Sequence, residues 1–124
     1  MENCNVNYVK EECVKPQTIW TIFLCEKLEP KIYESGKDSG FNDRGCSAAM
    51  GFYFDKEDAV EAMHNNVCDI RECVYNYGCI EEVGEGVYGA IPNSVQWFKW
   101  NEDKQGYYEI ETPEREKHIY SYCL

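Results

Sequence analysis

The chain is short of the side chains from which most catalytic and metal centres are built. It has two histidines, His64 and His118, and three arginines, Arg44, Arg71 and Arg115, in 124 residues. A centre that moves protons through paired imidazoles has almost nothing to draw on. There is no H-E-x-x-H, no Gly-rich phosphate loop and no nucleophile elbow. None of the eight cysteines forms a C-x-x-C pair. Cys68, Cys73 and Cys79 stand five and six residues apart, which is not a zinc-ligand spacing. No apolar stretch approaches the ~20 residues of a membrane-spanning helix. Met1 to Lys15 holds no apolar run of the kind that directs secretion, so a disulfide scaffold is disfavoured. Internal repeats and low-complexity tracts are missing too. The expectation is a cytoplasmic, non-enzymatic protein without cofactor or metal, its cysteines mostly reduced and serving as small hydrophobes.

Positive charge is the other shortage. Twelve basic residues face 23 acidic ones, a net charge of -11. Such a surface repels polyanions, which disfavours binding along DNA or RNA. A small anionic ligand is still permitted, because a pocket answers to its local groups.

What is present suits one compact domain, residues 1–124, with 44% hydrophobic content. Residues 1–16 are polar, lack a period and read as a flexible arm ending at Pro16. Thr18 to Cys25 is β-branched and aromatic throughout, as in a buried strand. Residues 34–47 are rich in Gly, Ser and Asp and read as a long loop. Gly51 to Phe54 reads as a short strand. Asp55 then caps a helix whose apolar face is Ala59, Val60, Met63 and Val67. Glu72 to Val83 reads as a long strand, Gly84 to Gly86 as a turn, and Val87 to Ile91 as a short strand. Val95 to Trp100 pairs with Tyr107 to Ile110 as an aromatic hairpin. A last helix starts at Pro113, with Thr112 as N-cap, and runs towards Tyr122. The fold class is α+β: a mainly antiparallel sheet with about two helices packed on it.

The last quarter is where binding chemistry concentrates. Alternation puts Trp97 with Lys99 on one face of the hairpin and Phe98 with Trp100 on the other. If only one face covers the core, the other presents aromatic rings to a ligand or a subunit; burial of both faces is the plain alternative. Arg115 shares a helix face with Ile119 and Tyr122, so it points inward and needs an anion. That anion is Glu111, an acidic group from elsewhere, or a ligand phosphate. Arg44, beside Gly45, lies in the long loop, and Arg71 follows the first helix. Each is either solvated or anion-facing. Tyr88, between Gly86 and Gly89, is a ring placed for stacking or for packing on a helix.

The chain also carries an ordered series of short motifs. Gly51-Phe52-Tyr53-Phe54-Asp55-Lys56-Glu57-Asp58-Ala59-Val60 is followed by Asn65-Asn66 and Asp69-Ile70-Arg71-Glu72. Then come Ile80-Glu81-Glu82-Val83, Gly86-Val87-Tyr88, Trp97-Phe98-Lys99-Trp100 and Ile110-Glu111-Thr112-Pro113-Glu114. In order and spacing these resemble the first Thoeris anti-defence family, small phage-encoded proteins, over residues 45–117. Each motif is modest alone, and the cysteines and the arm are not part of the pattern.

The resemblance implies a sponge. Members of that family bind glycocyclic ADP-ribose isomers made by bacterial TIR-domain enzymes, without degrading them. This keeps an NAD-depleting effector switched off in the cytoplasm of the infected host. Family pockets lie at the edge of a homodimer, and the C-terminal segment closes over the ligand. Some members form hexamers and hold cyclic di- or trinucleotides at separate sites. Carried over, Tyr88 would stack on the ligand, Arg115 would face it and Asn93 would supply a polar contact. Glu111, Thr112 and the residues to Arg115 would close the site, and Arg44, Arg71 and Trp97 would be further candidates. The competing expectations are a cyclic-nucleotide hydrolase and a protein that inhibits a host enzyme by contact through the aromatic hairpin.

Overall fold

Strand β1, Thr18–Cys25, forms where the sequence predicts it, and Thr21 to Cys25 are buried. β-Branched and aromatic residues fit a strand covered on both faces. A computed structural model describes residues 17–86 and 93–116 of the chain. After β1 come β2 (Glu29–Ile32), β3 (Asp38–Asp43), β4 (Ser47–Tyr53), helix α1 (Lys56–His64) and a 3-10 stretch over Val67–Cys73. Then follow β5 (Tyr77–Gly84), β6 (Ser94–Asn101), β7 (Gly106–Ile110) and a 3-10 turn at Glu114–Glu116. The main sheet has the order β4-β1-β5-β6-β7, with every neighbouring pair antiparallel. β2 and β3 form a separate two-stranded sheet. The architecture is α+β, as expected.

The period of two sorts the core into two clusters. Ile22, Leu24, Ile80, Phe98 and Tyr107 meet Ala59, Ala62 and Met63 of α1. Phe23, Cys25, Cys79 and Trp97 form the second cluster, bordered by Leu28, Tyr77, Val95 and Ile110. Cys25 and Cys79 therefore hold core positions. Cys73 is exposed instead, and the five described cysteines are all free thiols.

Several sequence expectations shift. The long loop at 34–47 contains β3 and the start of β4, so the hairpin was illegible as strand. β2 is exposed throughout and β3 mostly so, which leaves no alternation to read. Val67 does not extend the helix face: α1 ends at His64, and Asn66 turns left-handed at φ 50. The strand expected from Glu72 begins at Tyr77, because Val74 sits at φ 62, incompatible with a strand. Pro113 leads into a three-residue 3-10 turn, Glu114–Glu116, in the described part. The arm at 1–16, the strand at 87–91 and the helix beyond Glu116 fall outside the described residues. Among the described residues no helix is long and apolar enough to cross a membrane.

Two glycines set how closely the layers approach. A Cβ on Gly78 would press on the Leu24 and Met63 side chains, both fully buried. A Cβ on Gly106 would collide with the backbone carbonyl of His64, and two backbones cannot yield as a side-chain end can. β7 and the end of α1 are thus in backbone contact, reinforced by His64 stacking on Tyr108 at 4.3 Å and bonding to Glu109 at 2.9 Å. Gly106→Ala is expected to cost about 2–3 kcal/mol, the upper range for overpacking. Thermal unfolding measures it, and an unchanged melting temperature would mean that α1 and β7 are not so closely seated.

Candidate functional site

β7 ends at Ile110, and Pro113, which has no N–H to give a ladder, leads into the turn at Glu114–Glu116. The Glu116 amide donates to the Pro113 carbonyl at 2.8 Å and tightens this turn. Two adjacent side chains then reach back to β3. Arg115 grips Asp38 with two bonds, Nη1 to Oδ1 at 2.9 Å and Nη2 to Oδ2 at 2.5 Å. Its Nη1 also donates to the Phe41 carbonyl at 3.3 Å. The Glu116 carboxylate accepts from Arg44 Nη2 at 2.5 Å and from Asn42 Nδ2 at 2.7 Å. Arg44 and Arg115, 71 residues apart, thus converge on one short turn.

The hairpin is shaped to receive that turn. Asp38 Oδ1 accepts the Gly40 amide at 2.8 Å, and Asp43 Oδ1 accepts the Gly45 amide at 2.9 Å. These are Asx turns, one at each end of β3. Gly40 and Gly45 both take positive φ, 86° and 67°, which an Asp-x-Gly sequence supplies without strain. Asp38-Ser39-Gly40 and Asp43-Arg44-Gly45 are visible in the sequence as a repeated Asp-x-Gly. That was the signal that could have revealed Asp38, Asn42 and Glu116, which sequence reasoning missed.

The two ion pairs differ in burial. The Glu116 side chain is 0% exposed and that of Arg44 19%, whereas Arg115 and Asp38 are 30% and 47% exposed. The Arg115 guanidinium, then the Gly40 amide, hold the Asp38 carboxyl down to about 2. Near the buried pair, burial pushes the Cys79 thiol well up, Glu81 and Cys25 add to this, and Arg44 partly opposes it. Cys79 therefore stays protonated and is no nucleophile.

Beside the turn, an open groove of about 620 Å³ is lined by Val95, Gln96, Glu109, Ile110, Glu111 and Thr112. Gln96 crosses its floor to the Ile110 carbonyl at 3.1 Å. Of the sequence candidates, Glu111 and Thr112 lie in this groove. Asn93 is exposed at the start of β6, its amide bonded to the Glu82 carbonyl at 3.2 Å. It stands at the same end of the β6–β7 pair, since Ser94 opens β6 and Ile110 closes β7 opposite Trp97. A larger groove of about 710 Å³ runs along α1, with Lys56, His64 and Tyr108 beside Glu57, Asp58 and Glu61 in its lining.

Two candidates are not brought to this place. Trp97 is 2% exposed and Phe98 0%, so both faces of the aromatic hairpin are buried. Trp97 packs in the second core cluster and offers no ring face, which corrects its assignment as a ligand contact. Arg71 lies over Trp100 at 4.8 Å and donates to the Tyr75 carbonyl and Asn76 Oδ1, both at 2.8 Å. Trp100 and Tyr75 pack against the α1 cluster, so Arg71 serves the opposite face of the sheet from Arg44 and Cys79. It ties the 3-10 stretch to β6 rather than joining the turn. Tyr88 lies outside the described residues. Among the described residues no group of His, Cys, Asp and Glu could hold a metal ion.

No protein-family model, no curated protein and no solved structure matches the chain.

Two measurements check the geometry. Glu116→Ala removes the partner of a largely buried guanidinium and is expected to cost about 3 kcal/mol in urea unfolding. Asp38→Ala, at an exposed pair, should cost far less. The second is titration. With its folded value depressed, Asp38 contributes fully above its ordinary 3.8, and that contribution is lost as pH falls through about 2. The Asp38 carboxyl resonance should titrate near 2 and move back towards 3.8 in Arg115→Ala.

Proposed function

We propose that the protein is a phage-encoded sponge: it binds and sequesters glycocyclic ADP-ribose signals made by TIR-domain enzymes, without cleaving them, and so keeps a Thoeris effector inactive. The observation that carries this reading is a solvent-reachable guanidinium, Arg115, on the turn that follows the aromatic hairpin, anchored beside it by the buried Arg44–Glu116 pair. That turn lies where the motif order puts the closing segment, and the groove with Glu111 and Thr112 adjoins it. Guanidiniums hold phosphates through paired donors, and carboxylates such as Glu111 can accept from ribose hydroxyls or an adenine amine. Tyr88 would supply the stacking ring and Asn93 a polar contact.

Sequestration needs affinity and slow release, not a nucleophile. A dissociation constant of ~10 nM corresponds to about −11 kcal/mol, within reach of an enclosed base and two phosphates. The setting is the cytoplasm of the infected host. The assembly is a homodimer with pockets at its edge, or a hexamer that also holds cyclic di- or trinucleotides. The contact-inhibitor alternative loses the surface it relied on, since Trp97 and Phe98 are buried. Its support is then exposed apolar side chains elsewhere, Ile32, Tyr33 and Phe41 on the β2–β3 hairpin and Phe52 and Phe54 at the end of β4.

The test is capture and release. Purified protein is mixed with the TIR-made isomer, freed of unbound ligand and denatured by heat, and the released molecule is analysed by mass and chromatography. Intact ligand in stoichiometric amount is expected. A new product would make the protein a hydrolase, and no captured ligand would favour the protein-binding reading. Arg115→Ala and Tyr88→Ala should each weaken capture at least tenfold, with the fold retained by circular dichroism.

A further inference from the structure

Arg115 and Asp38 meet fork to fork, and Phe41 adds its carbonyl to the same guanidinium nitrogen. A phosphate offers a guanidinium the same pair of oxygens as a carboxylate does. One edge of the guanidinium cannot serve both at once. We infer that Asp38 is an internal counter-anion of the phosphate seat: its carboxylate holds the Arg115 edge that a diphosphate-bearing ligand needs, so ligand entry displaces Asp38 and releases the turn end of the β2–β3 hairpin. This rests on Arg115 being a ligand-facing group.

The asymmetry of the two ion pairs gives the device its direction. The Arg115–Asp38 pair is open to water, where attraction is screened and partners exchange at little cost. The Arg44–Glu116 pair is largely buried and also carries Asn42, so it holds. Arg115 and Glu116, neighbours in sequence, grip opposite ends of β3, at Asp38 and at Asn42. Asp38 and Asn42 are four steps apart along the strand, roughly 13 Å. Release at Asp38 therefore swings the turn end about a root that stays tied.

The turn itself survives the exchange. The Tyr33 amide bonds to the Lys37 carbonyl at 2.8 Å, the Gly36 amide to the Tyr33 carbonyl at 2.8 Å, and Asp38 keeps the Gly40 amide. The hairpin would move as a unit, carrying Ile32, Tyr33 and Phe41 with it. Competition also confers selectivity. An anion with one charge and one oxygen cannot outbid a two-bond carboxylate, whereas a diphosphate can.

The experiment uses inorganic pyrophosphate as probe on the full chain, with calorimetry and amide chemical shifts by nuclear magnetic resonance. Asp38→Asn removes the charge but keeps an oxygen for the Gly40 amide, so the hairpin survives. Asp38→Ala is the second variant. Both should bind pyrophosphate at least threefold tighter than the unmodified chain, and adding Arg115→Ala should erase that gain. Saturating pyrophosphate should shift the amide resonances of residues 37–41 of the unmodified chain while those of residues 42–44 stay in place. Equal or weaker binding by both Asp38 variants, or none at all, overturns the inference. If they gain nothing while Arg115→Ala loses capture of the cyclic ADP-ribose isomer, the sponge stands and the counter-anion falls. If Arg115→Ala captures the isomer undiminished, the inference falls with its premise. A pyrophosphate gain through Arg115 without capture of the isomer keeps the counter-anion and sinks the sponge.

Discussion

A buried carboxylate in the turn after β7 ties the second face of this sheet to the β2–β3 hairpin. Glu116 has no exposed side-chain surface, and it meets Arg44 and Asn42 at the end of β3. Taking a carboxylate out of water is costly unless charge-assisted hydrogen bonds replace the lost solvation. Arg44 and Asn42 supply them, and in doing so they tie a segment late in the chain to a hairpin early in it. Close by, Cys79 feels both charges from its place in the core beside Phe23 and Trp97. Loss of this link would affect the hairpin, the turn and the core cluster together, because they share these groups.

The three arginines are used in three ways, and burial explains the difference. Arg71 lies over Trp100 with its donors on Tyr75 and Asn76, a brace between the 3-10 stretch and β6. Arg44 is mostly enclosed and paired for structure. Arg115 is paired but reachable, and such an exposed pair exchanges partners cheaply. In a chain so acidic, a site for a small anion depends on positive charge that is held locally and not yet surrendered to the bulk. The turn at Glu114–Glu116 keeps one such group fixed by structure and another available at its surface.

Legibility followed burial. β1 could be read because both its faces are covered, which demands an unbroken run such as Ile19-Trp20-Thr21-Ile22-Phe23-Leu24. The β6–β7 hairpin could be read because its aromatics alternate around a polar loop. The β2–β3 hairpin could not, since most of its residues are exposed and its sequence carries Gly, Ser and Asp. Its strand character comes from Asx turns and from side chains more than 70 positions away. The helix and strand limits near Asn66 and Val74 depart from the sequence expectation because local propensity gives no sign of left-handed backbone there.

By itself the sequence determined the α+β class, the central strands and α1, since these follow from local pattern and near-neighbour spacing. It also narrowed the anion for Arg115 to three possibilities. Only the tertiary structure decided among them for the folded chain, choosing Asp38, and only it buried Trp97 and sent Arg71 to the other face. Partners distant in sequence are selected by how the layers pack, and no period along the chain encodes that choice.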